Sequence, residues 1–188
     1  MHTLIEWDKQ FFHLINSKWH NSAMDWLMPL LRNSVMWYPF YLFLLLLIIV
    51  NFKKNVWWWI GIGTLTVILS NYVSSNLIKE NIYRLRPCND PSIASWVRVL
   101  VGYRPQSSSF TSSHAANHFA LAMYLYLSLK PYSPKWVSIL FFIWAFAISY
   151  AQVYVGVHYP LDVAGGAIIG ILIGYLSGKS FNKQFGLE

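Results

Sequence analysis

The sequence predicts an all-α fold, a polytopic membrane helix bundle with about five transmembrane helices and amphipathic interfacial helices at its N-terminus. Hydrophobic residues make up 56% of the 188 positions and charged residues only 11%, whereas an average soluble domain is about 25% charged. The 10 Trp, 12 Tyr and 12 Phe residues suit the aromatic belts at the two surfaces of a membrane. A chain of this length is expected to form one membrane domain.

The N-terminal segment, residues 1–34, is predicted to lie in the membrane interface. Residues 3–16 (TLIEWDKQFFHLIN) combine an apolar helical face with polar positions elsewhere, which is typical of an interfacial helix. The apolar face consists of Leu4, Trp7, Phe11 and Leu14. A second short helix is expected over residues 22–31, with Asn21 or Ser22 as its N-cap.

The remaining unit, residues 35–188, contains five apolar stretches that we expect to span the membrane. They run from Val35 to Phe52, from Trp57 to Ile78, from Ala115 to Leu129, from Trp136 to Val155 and from Leu161 to Gly178. The second span ends in polar residues that should face the bundle interior, since lipid offers them no partner: Ser70, Asn71, Ser74, Ser75 and Asn76. The fifth has a glycine at every fourth position, which predicts close approach of another helix: Gly166, Gly170, Gly174 and Gly178.

Loop charges predict the orientation of these spans. If the spans alternate, six lysines fall on one side: Lys53, Lys54, Lys130, Lys135, Lys179 and Lys183. All five arginines fall on the other side, together with Lys9, Lys18 and Lys79. The positive-inside rule does not decide between six and eight charges. Because the arginines cluster in one loop, as ligand binding requires, we place that loop outside and the C-terminus in the cytoplasm.

The longest polar interruption, residues 79–113, is the predicted active-site loop. It holds Lys79 and four of the five arginines: Arg84, Arg86, Arg98 and Arg104. A run of small hydroxyl residues follows and ends on His114. Cations and hydroxyls at the mouth of a hydrophobic bundle indicate a site for a multiply charged oxyanion, most plausibly phosphate.

The net charge of +7 would suggest a nucleic-acid partner in a soluble protein. In a membrane protein, anionic lipid headgroups or an anionic substrate fit it better, so no nucleic-acid partner is expected. The single cysteine, Cys88, excludes an internal disulfide and a CxxC metal site.

Three chain segments are predicted to meet on the outer side. The first carries Lys79 and Arg86, the second is Ser112-Ser113-His114, and the third runs from His158 to Asp162. Taken singly, each has a simpler interpretation: an interfacial lysine anchor, a serine cap, a turn histidine or an aspartate cap. Their coincidence on one face, with a helix N-terminus and a carboxylate inside a span, favours a functional site.

These residues form a pattern that resembles the type-2 phosphatidic acid phosphatase family, which shares its site with vanadium haloperoxidases. The family signature reads K-x6-RP, then PSGH, then SR-x5-H-x3-D. The first part is complete here in KENIYRLRP. The second appears as TSSH, with Thr111 for proline and Ser113 for glycine. The third is AQVYVGVHYPLD, in which Ala151 replaces serine and Gln152 replaces arginine.

The resemblance implies a mechanism for each matched position. His158 is the nucleophile that forms a phosphohistidine, and Asp162 orients its imidazole. His114 protonates the leaving oxygen and then activates water. The phosphoryl oxygens are bound by Lys79, Arg86, Ser112, the backbone N–H of Ser113, and Gln152. No metal or other cofactor is expected, because no carboxylate and histidine cluster has metal-ligand spacing.

Gln152 is the main departure from the family pattern, because an amide brings neither charge nor a guanidinium fork. The loss is worth roughly 1 kcal/mol or more. The hypothesis is that a loop arginine compensates, Arg104 first and Arg84 or Arg98 next. Otherwise activity is weak, or the substrate is a diphosphate that needs different donors.

The resulting prediction is a lipid phosphatase of a bacterial-type cytoplasmic membrane, with its site on the extracytoplasmic side. The resemblance favours undecaprenyl diphosphate as substrate, and leaves phosphatidylglycerophosphate, phosphatidic acid and lipid A phosphates open. Two alternatives stand beside it. A vanadate-dependent haloperoxidase is disfavoured because those relatives are soluble. A non-catalytic lipid-phosphate binder or transporter on the same fold is favoured by Gln152 alone.

Overall fold

The computed structural model describes residues 2–188, and within this range every regular element is helical. Seven α-helices succeed one another: α1 (His2–His13), α2 (Ser22–Arg32), α3 (Tyr38–Asn51), α4 (Val56–Tyr72), α5 (Ser113–Leu129), α6 (Lys135–Tyr154) and α7 (Pro160–Gln184). A 3-10 turn (Ser34–Trp37) leads into α3, and a π-helical stretch (Val73–Ile78) extends α4 to the start of the active-site loop. The predicted all-α fold is confirmed.

Four helical stretches are long and apolar enough to cross a membrane: Ser34–Asn51, Val56–Ile78, Lys135–Tyr154 and Pro160–Gln184. They correspond to four of the five predicted spans. The third predicted span is α5, which has 17 residues and lies at the centre of the bundle, against α4, α6 and α7. The chain is therefore a multi-pass membrane helix bundle whose shortest expected span is its innermost helix.

The glycine face of α7 packs directly on α5, as the sequence predicts. A Cβ atom on Gly170 would lie 2.2 Å from the carbonyl oxygen of Ala116, and one on Gly174 would lie 2.2 Å from that of Ala120. A Cβ on Gly166 would lie 2.4 Å from the carbonyl oxygen of Ser112. These approaches leave no room for a methyl group. They place the first turns of α5 and α7, which carry the expected site residues, side by side.

The N-terminal helices cover the loop end of the bundle. In α1 the side chains of Leu4 and Trp7 are each 60% exposed and Phe11 is 50% exposed, in keeping with the predicted interfacial face. Phe12 is buried instead, with its ring packed on Trp96 of the loop and on Tyr159. Of the two expected caps of α2, Asn21 is the one used, since its side chain accepts a bond from the Met24 N–H at 2.9 Å.

Polar contacts tie this N-terminal segment to the loop. The side-chain amide of Asn16, which is fully buried, donates to the carbonyl oxygens of Arg98 and Tyr154, both at 2.7 Å. The guanidinium of Arg98 pairs with Asp25 of α2 at 2.5 Å. The loop is thus held between the N-terminal helices and the end of α6.

The polar end of the second span only partly matches its prediction. Ser70 and Ser74 are buried within the bundle, whereas Asn71 and Asn76 are exposed. The exposed side chain of Asn71 is hydrogen-bonded to a neighbouring helix, because its oxygen accepts a bond from the side-chain amide of Asn117 in α5 at 3.3 Å. The expectation that all five residues face the interior was wrong for these two asparagines, since hydrogen bonding between neighbouring side chains is an alternative to burial.

Candidate active site

The starts of α5 and α7 and the end of α4 meet at the active-site loop. The N–H of Ser112 donates to the carbonyl oxygen of Asp162 at 2.9 Å. The hydroxyls of Ser113 and Ser75 lie 2.9 Å apart, which joins the first turn of α5 to the last turn before Lys79. The guanidinium of Arg86 reaches His158. All three predicted segments are therefore brought together at one end of the bundle.

His158 and Asp162 are both buried, on either side of the α7 N-terminus. Pro160 occupies the first turn of α7, where its fixed φ suits a helix start and its missing N–H is not needed. The imidazole Nδ1 of His158 lies 3.6 Å from Asp162 Oδ2. The hydroxyl of Ser109 bridges them, because it lies 3.5 Å from Nδ1 and donates to Asp162 Oδ2 at 2.5 Å.

The contact with Arg86 determines which nitrogen of His158 carries the ring proton and which carries the lone pair. Nη1 of Arg86 lies 3.1 Å from Nε2 of His158, and a guanidinium only donates hydrogen bonds. Nε2 therefore presents its lone pair, and the ring proton resides on Nδ1, facing Ser109 and Asp162. This is the tautomer that a histidine nucleophile requires.

Burial lowers the pKa of His158 to about 4, with the charges of Arg86 and Lys79 acting in the same direction and Asp162 acting against them. The imidazole is therefore uncharged at neutral pH. A neutral ring is the nucleophilic form of histidine, and the Nε2 lone pair becomes available when the bond from Arg86 is displaced.

Arg86 is itself held rigidly, with only 5% of its surface exposed. Its Nε donates to the carbonyl oxygen of Ser107 at 2.9 Å and its Nη1 to that of Val157 at 3.1 Å. Nη2 donates to the hydroxyl of Ser107 at 3.0 Å. Nη2 also donates to the carbonyl oxygen of Ser108 at 3.3 Å. Together with the contact to His158, all five N–H groups of the guanidinium are engaged, so a phosphoryl oxygen that binds Arg86 has to replace one of these partners.

Lys79 adds a second cation at the C-terminal end of the π-helical stretch. Burial, assisted by the neighbouring charge of Arg86 and opposed by Asp162, lowers the pKa of Lys79 to about 8. Two cations held close together and partly away from water favour the arrival of a multiply charged anion.

The N-terminus of α5 supplies backbone donors. Ser112 is the N-cap, and its hydroxyl accepts from the Ala115 N–H at 3.4 Å, which leaves its own O–H proton available. Helix geometry gives the N–H groups of Ser113 and His114 no acceptor within α5. Since the first turn of a helix attracts anions, the expected role of the Ser113 N–H fits its position, whereas the Ser113 hydroxyl is bonded to Ser75.

Gln152 is fully buried, and its side-chain oxygen and nitrogen both lack a hydrogen-bond partner within residues 2–188. It belongs to the same turn as His158, because its carbonyl oxygen accepts from the N–H of His158 at 3.3 Å. A buried amide without partners is costly to a fold. An additional binding partner, such as a phosphoryl oxygen, would relieve this cost.

The contacts of the loop arginines do not match the hypothesis that one of them compensates for Gln152. Arg84, not Arg104, reaches Asp162, at 2.6 Å, and it is engaged by carboxylates instead of facing an open site. Arg98 is paired with Asp25. Arg104 is exposed, and among the contacts of the described chain only its carbonyl oxygen takes part in a hydrogen bond, with Gln106. Direct phosphate binding by Arg104 stays a prediction.

A largely apolar groove of about 520 Å³ opens between α3, α4 and α5. It begins one turn below His114, at His118, whose ring is parallel to that of His114 with centroids 6.3 Å apart. Nδ1 of His118 lies 2.7 Å from the carbonyl oxygen of His114, so it carries the proton, and Nε2 accepts from the Tyr41 hydroxyl at 3.4 Å. The groove therefore begins close to His114 and continues between the apolar faces of α3, α4 and α5.

Three features of the site were not anticipated from the sequence: the bridging hydroxyl of Ser109, the pairing of Arg84 with Asp162, and the participation of Asp8 from α1. The serine run pointed to Ser109 only as one hydroxyl among several. Nothing in the local pattern around Asp8 distinguished it from a solvated position on an amphipathic helix.

The described residues contain no group of three His, Cys, Asp or Glu side chains that could hold a metal ion.

Fold and site together define an integral membrane helix bundle in which a buried histidine lies between an arginine and an aspartate at a helix N-terminus. The chain belongs to the PAP2 superfamily, whose family model matches residues 58–185. This confirms the family predicted from the three motifs.

Curated relatives agree with this assignment. The chain is 34% identical to the lipid A 4'-phosphatase of Bacteroides thetaiotaomicron over 159 residues, which are 84% of this chain and 69% of that protein. It is 37% identical to the undecaprenyl-diphosphatase of Sulfolobus acidocaldarius over 120 residues, which are 63% of this chain and 53% of that protein. By their names, one relative is a phosphatase and the other a diphosphatase, each acting on a lipid.

A solved structure has the same fold. The crystal structure of Aquifex aeolicus LpxE superposes with a TM-score of 0.66 and 26% sequence identity, covering 90% of this chain and 93% of that one. The helix arrangement of this protein is therefore shared with a known member of the group.

Proposed function

We propose that this protein is a membrane phosphatase that removes phosphate from a lipid phosphate ester through a phosphohistidine intermediate. The observation that carries the proposal is the state of His158, whose Nε2 lone pair is directed towards Arg86 while Nδ1–H faces Ser109 and Asp162. A histidine held in this tautomer, beside two cations and a helix N-terminus, is prepared to attack phosphorus.

In the first step, Nε2 of His158 attacks phosphorus in line with the lipid oxygen. An N–P bond forms, the P–O bond to the lipid breaks, and His114 gives its proton to the leaving oxygen. Lys79, Arg86, the hydroxyl of Ser112 and the α5 N-terminus stabilise the charge on the phosphoryl oxygens. Asp162, through Ser109, stabilises the positive charge that develops on the imidazole.

In the second step, water attacks the same phosphorus atom. His114 takes a proton from that water, the N–P bond breaks, and inorganic phosphate leaves with His158 restored to its neutral form. The reaction balances without an oxidant, a reductant or a further substrate. Gln152 binds a phosphoryl oxygen in both steps through its amide N–H, a role supported by the absence of any partner for this amide within the described chain.

The groove below His114 supports a substrate whose apolar chains stay in the bilayer. Its walls are mainly aliphatic and aromatic, including Leu44, Trp59 and Leu121. Two polar residues of its lining, Asn117 and His118, lie within about one turn of His114, or roughly 5 Å along α5. A substrate bound there has its phosphate at His158 and its first polar groups beside Asn117.

The polar residues beside His114 favour an acylated lipid over a polyprenyl lipid as the substrate. The side-chain oxygen of Asn117 is buried and has no partner in the described chain, and an amide oxygen accepts hydrogen bonds. Acylated sugars and glycerolipids carry hydroxyl or amide donors and carbonyl oxygens close to their phosphate, whereas a polyprenyl chain carries neither. The 34% sequence identity to a lipid A 4'-phosphatase also supports an acylated lipid as the substrate.

Undecaprenyl diphosphate, which the sequence alone favoured, is the second candidate, and the Sulfolobus relative supports it. We also place the site on the extracytoplasmic side of a bacterial cytoplasmic membrane. The lysines of the α3–α4 turn support this orientation, because the N–H groups of Lys53 and Lys54 bind the carbonyl oxygen of Glu188 and thus lie beside the C-terminus.

The test is release of inorganic phosphate by the full chain in detergent from lipid A phosphate, phosphatidic acid and undecaprenyl diphosphate. Wild-type release that is abolished in His158→Ala and blocked by vanadate supports the proposal. Release that survives His158→Ala, or the absence of release from every lipid, overturns it and favours a binding or transport role. A wild-type preference for undecaprenyl diphosphate over the acylated lipids contradicts the acylated class.

A further inference from the structure

A chain of alternating charges links α1 to the expected nucleophile. Asp162, which is fully buried, has its two oxygens engaged separately. Oδ2 accepts from the Ser109 hydroxyl at 2.5 Å and from the Tyr159 N–H at 2.8 Å, and faces His158. Oδ1 is bound by Nη1 of Arg84 at 2.6 Å. Arg84 therefore fixes the far side of the carboxylate that orients His158.

Arg84 is in turn held from the opposite side by Asp8. Its Nη2 lies 2.5 Å from Asp8 Oδ2, and its guanidinium carbon lies 4.3 Å from the centre of the Tyr159 ring. The side chain of Arg84 is 22% exposed and that of Asp8 only 1% exposed. Because this pair is withdrawn from water, its interaction is screened less than that of a surface ion pair.

Asp8 also contacts the helix that carries Asp162. Its Oδ1 accepts from the backbone N–H of Leu161 at 2.9 Å, in the first turn of α7, where a negative charge stabilises the helix. One side chain of α1 therefore contacts both the guanidinium and the helix start that position Asp162. Burial raises the pKa of Asp8, and the bond from Arg84 opposes this shift.

Helix α1 lies outside residues 58–185, the range that the family model matches. Its outward face presents Leu4, Trp7 and Phe11, which are at least half exposed and suited to the membrane interface. The matched region thus contains the histidines and the phosphate-binding cations, while one residue that supports its carboxylate comes from the interfacial segment.

We propose that Asp8 and Arg84 are positioning residues of the phosphatase reaction, and that α1, through Asp8, holds Arg84 so that Asp162 keeps its orientation and its negative charge towards His158. The inference rests on the proposed function, because it assigns a role in that reaction. Neither residue contacts the phosphate, so both act on turnover more than on substrate binding.

The charges around His158 give the two residues opposite effects on its protonation. His158 is faced by Asp162 from α7, by Arg86 from the loop, by Lys79 from the end of α4 and by His114 from α5. Arg84 and Asp8 lie behind Asp162. When the charge of Asp8 is removed, the charge of Arg84 offsets that of Asp162 more fully, and His158 becomes harder to protonate. The acid limb of kcat/KM, the part of the pH profile in which His158 loses its proton, therefore moves to lower pH. Removing the charge of Arg84 moves that limb to higher pH.

The experiment compares Asp8→Asn, Arg84→Gln, the double variant and a matched control, Asp25→Asn, in the full chain. Asp8→Asn keeps an oxygen for the Leu161 N–H, and it removes the charge and the second acceptor oxygen that face Arg84. Asp25 is a suitable control because it also joins the N-terminal segment to a loop arginine, Arg98, at 2.5 Å, but it lies outside the chain of charges to Asp162.

We expect kcat to fall about tenfold or more in Asp8→Asn and Arg84→Gln, as for partners that orient a reacting side chain, with KM changed less than about twofold. The double variant is expected to be no worse than Arg84→Gln, since coupled residues are not additive. Asp25→Asn should keep its kcat even where its Tm falls as far as that of Asp8→Asn.

Unchanged kcat in Asp8→Asn overturns the inference. So does an equal loss of kcat in Asp25→Asn, or a shift of the acid limb in the same direction for both single variants. The proposed function fails separately, if the wild type releases no phosphate or if His158→Ala retains activity, and the inference then fails with it.

Discussion

Arg86 holds the expected nucleophile before any substrate arrives, because its Nη1 lies 3.1 Å from Nε2 of His158. The same guanidinium is fixed by four carbonyl and hydroxyl groups of the loop and of the turn before α7. A phosphate that binds Arg86 therefore lies next to the lone pair that attacks it. Binding and alignment for attack depend on one side chain.

Ser109→Ala tests the bridge between His158 and Asp162. Direct contact between these two is long, at 3.6 Å, so the hydroxyl is expected to carry part of the orienting interaction. We expect kcat to fall by about tenfold, from the loss of one charge-assisted hydrogen bond of roughly 1.5 kcal/mol, with little change in KM. Steady-state phosphate release measures this.

Ser107→Ala is the neighbouring control for that variant. Its hydroxyl contacts Arg86 and not the histidine, so its main effect should be on KM. Equal kcat in Ser109→Ala and the wild type would mean that Asp162 orients His158 without the bridge.

Lys79 predicts an alkaline limit for catalysis. Burial lowers its pKa to about 8, assisted by the charge of Arg86, so the side chain is charged below this pH and neutral above it. Because kcat/KM reports the ionisation of the free enzyme, it should fall as the pH rises through about 8. Lys79→Arg, which stays charged, should move this limb to higher pH.

The pH profile of kcat/KM for both proteins checks this assignment. Lys53→Arg, at the opposite end of the bundle, is the control and should leave the limb in place. An alkaline limb at the same pH in Lys79→Arg and the wild type would assign it to another group.

Gln152→Leu tests whether the buried amide serves the phosphate. Its polar atoms have no partner within the described chain, so removing them should leave Tm unchanged or raise it, since an unsatisfied buried polar group destabilises a fold. If the amide binds a phosphoryl oxygen, kcat/KM should fall roughly tenfold, or about 1.4 kcal/mol. Thermal unfolding and turnover are measured on the same preparation.

The two readouts separate function from packing. A drop in Tm with unchanged turnover would show that Gln152 is a structural residue. A drop in both would contradict its description as an unpartnered amide.

The sequence predicted the parts of this site whose geometry is local. His158 and Asp162 are four residues apart at a helix start marked by Pro160, and Lys79 and Arg86 follow directly after a span. Spacing along the chain determines where such residues lie in space. The glycine face of α7 was predictable for the same reason, because a four-residue repeat lies on one side of a helix.

The contacts that the sequence did not reveal are long-range. Asp8 and Arg84 are 76 positions apart, and on an amphipathic helix an aspartate is equally compatible with water. Likewise, Arg84 and Arg104 have similar local surroundings in the same loop. Which of them reaches Asp162 is decided by how the N-terminal segment packs on the loop, for which no local pattern exists.

Gly170→Ala tests the close packing of α5 on α7 that brings the site together. A Cβ at this position would lie 2.2 Å from the carbonyl oxygen of Ala116 and 2.9 Å from the N–H nitrogen of Ala120, both of them backbone atoms that cannot rotate away. The two helices must separate, at a cost of about 1–3 kcal/mol. We expect a lower Tm in detergent, and a lower kcat because Ser112 and Asp162 are displaced from each other. Gly61→Ala is the matched control, since a Cβ on this glycine of α4 meets nothing within 4 Å and alanine favours the helix, so its Tm should be equal or higher. Similar Tm values for Gly170→Ala and Gly61→Ala would contradict the contact between the glycine face and α5.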